Sequence, residues 1–176
     1  MKRIAATLLC LSLCGCFQVF TLEPTPAPTD FRVVSVELFL ARSNLNDVDF
    51  EQFKVDGQKL FVECGKIMRG RYIPQQQQVF SVTPAELETL KQNTWDVTRF
   101  KDNSYDKPGD NSSMIDPGQA YFSINLASES FQIKTSLDAV SSKTSLGDTE
   151  LYALASNLRA LAGGTLCTLQ SFYGIR

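Results

Sequence analysis

Residues 59–92 read KLFVECGKIMRGRYIPQQQQVFSVTPAELETLKQ, and the way this stretch divides sets the fold class. Lys59 to Met68 is apolar and β-rich, Arg69-Gly70-Arg71 is a turn, and Tyr72 to Val82 returns as a second strand. Pro74 within the return places it at a sheet edge, because proline has no N–H for an interior ladder. Thr83-Pro84-Ala85-Glu86 then starts a helix. Threonine and glutamate are spaced as a capping box, proline holds the first helical position, and Val82 is placed to staple against Leu87. The spacing predicts a helix from Pro84 to about Gln92. Strand, turn, edge strand and capped helix in that order imply an antiparallel α+β domain.

Outward from this unit, Arg32 to Leu40 (RVVSVELFL) reads as a strand, and Asn44 to Asp56 as a loop or a single helical turn with Phe50 and Phe53 three apart. Trp95 to Phe100 reads as a short strand or extended segment. Asp102 to Gly118 (DNSYDKPGDNSSMIDPG) is a long loop with Pro-Gly turns at Lys107–Asp110 and Asp116–Gln119. Gln119 to Leu126 and Ser130 to Leu137 form a second hairpin, followed by a serine-rich connection. Leu151, Leu154, Ala155, Leu158, Leu161 and Ala162 fall on one stripe of a helix over Thr149–Ala162, capped by Asp148 and ended by Gly163-Gly164. Thr165 to Tyr173 reads as a final strand. The expected fold is an antiparallel sheet with two helices packed on one face, the hairpin–helix arrangement occurring twice.

Composition narrows the chemistry. Hydrophobic residues make up 43% of the chain, with 12 Phe, enough for one core in 176 residues. Histidine is absent, which removes the commonest general base and metal ligand and every triad that uses it. Ser104 and Lys107 have the spacing of a Ser–Lys dyad, but they lie in a turn-rich loop, so the match reads as chance. Asp102, Asp106, Asp110 and Asp116 supply oxygens that Ca²⁺ accepts, without the EF-hand order, and read as a solvated loop. Two cysteines without histidine do not complete a zinc site. No catalytic residue, metal or cofactor is expected. Arg69 and Arg71 at a hairpin tip could meet anionic lipid or polysaccharide, or simply be solvated.

At the N-terminus, Lys2-Arg3 precedes an apolar run of ten residues, Ile4–Leu13, too short for a ~30 Å hydrocarbon core. Leu13-Cys14-Gly15-Cys16 resembles the lipobox of bacterial lipoproteins, with Leu at −3, a small residue at −1 and Cys at +1; Cys14 stands where Ala, Ser, Thr, Val or Ile is usual. The resemblance covers only this segment. It implies a signal peptide over 1–15, acylation of Cys16 (palmitate among the chains) and a bilayer as partner. Each buried methylene contributes about 0.8 kcal/mol, so two or three chains make a stable anchor. Phe17 at +2 instead of Asp implies, in a Gram-negative envelope, the inner leaflet of the outer membrane, facing the periplasm.

Removing the leader takes Lys2 and Arg3 and leaves 15 basic against 19 acidic residues. That acidic balance argues against nucleic acid. Residues 16–30 read as a lipid-anchored spacer, since Pro24, Pro26 and Pro28 favour polyproline II, spanning up to about 40 Å. Residues 31–176 read as one globular domain. Export would put Cys64 and Cys167, the cysteines left besides Cys16, where a pair usually bonds; two buried free thiols are the alternative.

The expectation that follows is a membrane-anchored, non-catalytic envelope protein that binds another envelope protein or a cell-wall component. The loop residues Asp102, Tyr105, Asp106, Asp110 and Asp116 are the expected contact surface, since loops of this length are usually functional or disordered. An inhibitor of a lytic enzyme in the periplasm and a histidine-independent hydrolase are the alternatives.

Overall fold

The computed structural model describes residues 25–43, 48–103, 118–141 and 149–164. Within them lies a six-stranded antiparallel sheet of β1 (Val33–Ser43), β2 (Val48–Asp56), β3 (Lys59–Met68), β4 (Arg71–Ser81), β5 (Gln119–Leu126) and β6 (Ser130–Ser136). Helices α1 (Pro84–Val97), α2 (Leu137–Ser141) and α3 (Thr149–Leu161) follow the hairpins, and a 3-10 turn, Thr98–Asn103, extends α1. The strand order is β4-β3-β2-β1-β5-β6, a four-stranded meander with a hairpin added beside β1. The α+β class therefore holds, and β4 lies at the sheet edge among the described residues.

Alternation along β1 decides which face is covered. Val36, Leu38 and Leu40 point one way, in register with Phe53 and Val55 of β2 and with Ala120, Phe122 and Ile124 of β5. Leu60 and Val62 of β3 and Phe131 and Ile133 of β6 extend this layer. Leu90 and Val97 of α1, Val140 of α2 and Leu151, Leu154, Ala155 and Leu158 of α3 close over it in one core. Full burial of each large side chain contributes about 1.5–3 kcal/mol.

Three expectations change. Asn44–Asp56 is not a loop from Val48 onward but strand β2, so Phe50 and Phe53 lie on opposite sheet faces instead of one helical face. The alternation is masked because Glu51, a charged residue, occupies an inward position. Helix α1 runs to Val97, past Gln92, and takes in Trp95, so Trp95–Phe100 is helical and 3-10, not extended. Its stripe of Leu87, Leu90, Thr94 and Val97 continues through a polar residue, because the buried Thr94 hydroxyl donates to the Leu90 carbonyl at 2.7 Å. Helix α2 occupies the start of the stretch read as a serine-rich connection.

The capping box forms as read. Glu86 N–H donates to Thr83 Oγ1 at 3.3 Å, and Thr83 N–H donates to Glu86 Oε2 at 2.7 Å. The described part of the Pro-rich segment is held against α1. Gln92 Nε2 donates to the Thr25 carbonyl at 3.1 Å, Ala27 N–H donates to Gln92 Oε1 at 2.9 Å, and Phe31 meets Trp95 edge to face at 5.2 Å. No described helix is long and apolar enough to cross a membrane. The expected final strand, Thr165–Tyr173, lies outside the described residues.

Candidate functional site

The sheet face turned away from the helices changes character along its length. From the start of β1 to its middle it carries polar pairs: Asn125 donates to Ser35 at 2.8 Å, Gln52 to Glu37 at 2.9 Å, and Gln77 to Glu63, level with Phe39, at 2.6 Å. Toward the other end it is aromatic. Phe39 of β1 stacks on Phe50 of β2 at 5.6 Å with 14° between the rings. Tyr72 of β4 meets Phe39 and Phe50 edge-on at 6.0 and 5.5 Å, and Tyr121 of β5 lies 6.3 Å from Phe39. Lys134 of β6 places its ammonium 5.7 Å from the Tyr121 ring.

The rings of Phe50 and Tyr72 touch although their strands are two apart, about 9.5 Å. They meet above β3, and the β3 residue in register with Phe50 is Gly65, which puts no side chain between them. The same glycine faces Pro74 at a bulge, where Gln75 is the extra residue between the Gly65–Pro74 and Cys64–Gln76 pairs. A side chain at Gly65 would collide with the Ile73 carbonyl and come within 2.9 Å of Pro74 Cα. The bulge therefore depends on glycine, and the bulge carries Tyr72 over the sheet. Phe50 is 1% exposed and Tyr72 47%. The arrangement is a packed aromatic cluster with a cation beside it, whose half-exposed Tyr72 ring is suited to meeting an apolar or ring-bearing partner.

A second cluster lies on the helix side. Glu51 is 2% exposed, and among the described residues neither carboxylate oxygen has a hydrogen-bond partner. Burial pushes its pKa up, while the guanidinium groups of Arg42 and Arg159 pull it down. Arg159 is itself shifted downward by burial, partly offset by Glu51, and donates to the Val140 carbonyl at 2.9 Å. Both oxygens are sealed from solvent, with Arg42 and Arg159 as the neighbouring charges.

Of the residues singled out from the sequence, Cys64 is described: it is buried and disulfide-bonded. Cys16 and Cys167 lie outside the described residues. So do Ser104, Tyr105, Asp106, Lys107, Asp110 and Asp116, whereas the backbone of Asp102 belongs to the 3-10 turn. Arg69 and Arg71 are exposed at the β3–β4 turn. Among the described residues, no three His, Cys, Asp or Glu side chains converge as a metal site. Sequence reasoning missed the aromatic platform, because its members come from four strands and meet only through register and one bulge. Gly65 inside an otherwise regular strand was the available signal. Comparison of the chain with protein-family models, curated proteins and solved structures gives no match.

Proposed function

We propose that the chain is an exported lipoprotein, acylated at Cys16, whose domain is a non-catalytic binding module of the cell envelope. The observation that carries the binding role is the sheet face that no described helix covers, where Phe39, Phe50, Tyr72 and Tyr121 form one ring cluster. The disulfide at Cys64 supports export, since such bonds persist in oxidising compartments. Pairing of Cys64 with Cys167 belongs to the same reading. The partner is an envelope protein or a cell-wall component, and the host membrane holds the acyl chains. We also read the hairpin–helix succession as a unit used twice, with β3–β4 followed by α1 at one sheet edge and β5–β6 at the other, followed after α2 by α3.

Two measurements test this. Mass spectrometry of protein from membranes should show residues 1–15 removed and acyl chains on Cys16, and Cys16→Ala should release the domain from the membrane. A photo-crosslinking residue at Tyr121 should capture an envelope partner that the same residue at Glu150 of α3 does not. An intact Met1 with an unmodified Cys16 removes the anchor, and equal capture from both faces removes the platform.

A further inference from the structure

We propose that the β3–β4 hairpin tip is a second membrane contact, a wedge that docks on an anionic phospholipid surface. Met68 and Ile73 are 43 and 42% exposed, so two large apolar side chains stand in solvent within six residues, on the side of the hairpin opposite Tyr72. Arg69 and Arg71 sit between them, and among the described residues neither guanidinium has an ion pair or hydrogen bond. The segment between Glu63 and Glu86 contains no acid, in a chain that is acidic overall.

The turn itself favours a presenting role. Its two central residues, Arg69 and Gly70, have φ of 52° and 74°, the pattern of a type I′ hairpin. Asn, Asp or Gly suits the first of these positions, and arginine there is disfavoured by its Cβ, so turn chemistry does not account for the residue. Met68 and Arg71 are cross-strand partners, and Ile73 shares their side of the hairpin. An arginine flanked by two apolar side chains matches a bilayer interface, where phosphate lies beside hydrocarbon. A soluble anion would use the charges and leave the apolar groups unmatched.

The tip lies at the end of the sheet opposite the one where β1 begins, about 33 Å along the strands by the rise of β1. This contact is distinct from the acyl anchor and does not depend on it.

The test uses the full chain as recovered from membranes, placed in phosphatidylcholine vesicles with and without phosphatidylglycerol. Deuterium uptake at residues 66–74 should fall severalfold only where phosphatidylglycerol is present, and the protection should fade as salt screens it. Arg69→Asn suits the left-handed position and keeps the fold. It should weaken the protection about fivefold, as should Arg71→Gln. Ile73→Ser should weaken it without changing its salt dependence. Uptake unchanged by phosphatidylglycerol overturns the proposal, and so does protection that follows an acidic envelope protein instead of the lipid. Mass spectrometry of Cys16 reads acylation separately, so failure of the anchor and failure of the tip are distinguishable.

Discussion

Gly65 stands in register between Phe50 on β2 and Pro74 on β4, and the atom a side chain would strike is the backbone oxygen of Ile73. A backbone carbonyl does not rotate away as a side chain would, so Gly65→Ala must open the bulge. It should destabilise by about 1–3 kcal/mol, the usual cost of overpacking, seen as a lower denaturant midpoint with unchanged slope. It should also separate Tyr72 from Phe50, which near-ultraviolet dichroism would register. Glu51 makes the opposite kind of argument, from charge. Its folded pKa is raised above the unfolded value, chiefly by burial. The stability this group contributes is therefore fully present below the unfolded carboxylate pKa and is lost as pH rises through the folded pKa. Glu51→Gln mimics the protonated form. It should match the parent protein in acid and exceed it in stability at neutral and higher pH, as thermal melts across that range would show. A variant less stable than the parent at neutral pH would mean that Arg42 and Arg159 outweigh desolvation.

Helix α1 shows how local chemistry becomes an element. Its first turn is closed by reciprocal bonds between Thr83 and Glu86, so Thr83→Ala should cost about 1 kcal/mol, measured by chemical denaturation. Glu86 has its pKa lowered by its backbone and then its side-chain bond to Thr83. Its contribution is present above the unfolded carboxylate pKa and is lost as pH falls through the folded one, opposite in sign to Glu51. This element was legible in the sequence because a cap is a contiguous signal, and so were the β3–β4 hairpin and the apolar stripe of α3. Where the reading failed, a polar residue held an inward position. Thr94 interrupts the stripe of α1 but satisfies its own hydroxyl, and Glu51 interrupts the alternation of β2 while shielded beneath α3 and flanked in charge by Arg42 and Arg159. The candidate platform was not legible for a different reason. Phe39, Phe50, Tyr72 and Tyr121 are distant in sequence, and nothing local records that a bulge opposite Gly65 brings the fourth strand's ring back over the second.

At the scale of the molecule, the sheet is tied together at Cys64. This residue is in register with Glu51 and buried on the helix side of β3, so its disulfide joins the meander to another part of the chain. If that part is Cys167, the bond links β3 to the segment after α3 and closes a loop of about 100 residues, contributing up to about 4.7 kcal/mol through restriction of the unfolded chain. A double-mutant cycle decides the pairing. Cys64→Ser and Cys167→Ser should each lower stability by the same amount, and the double variant should lose no more than either alone, because one bond is removed in all three. Peptide mapping without reductant should recover the two cysteines in one cross-linked fragment. If Cys167→Ser leaves the denaturation midpoint unchanged while Cys64→Ser lowers it, the bond runs from β3 to a different cysteine. The only other cysteines lie at positions 10, 14 and 16. Pairing with any of these would require leader residues to persist in the folded protein, or Cys16 to carry no lipid. The same cycle that assigns the disulfide therefore also tests the anchor.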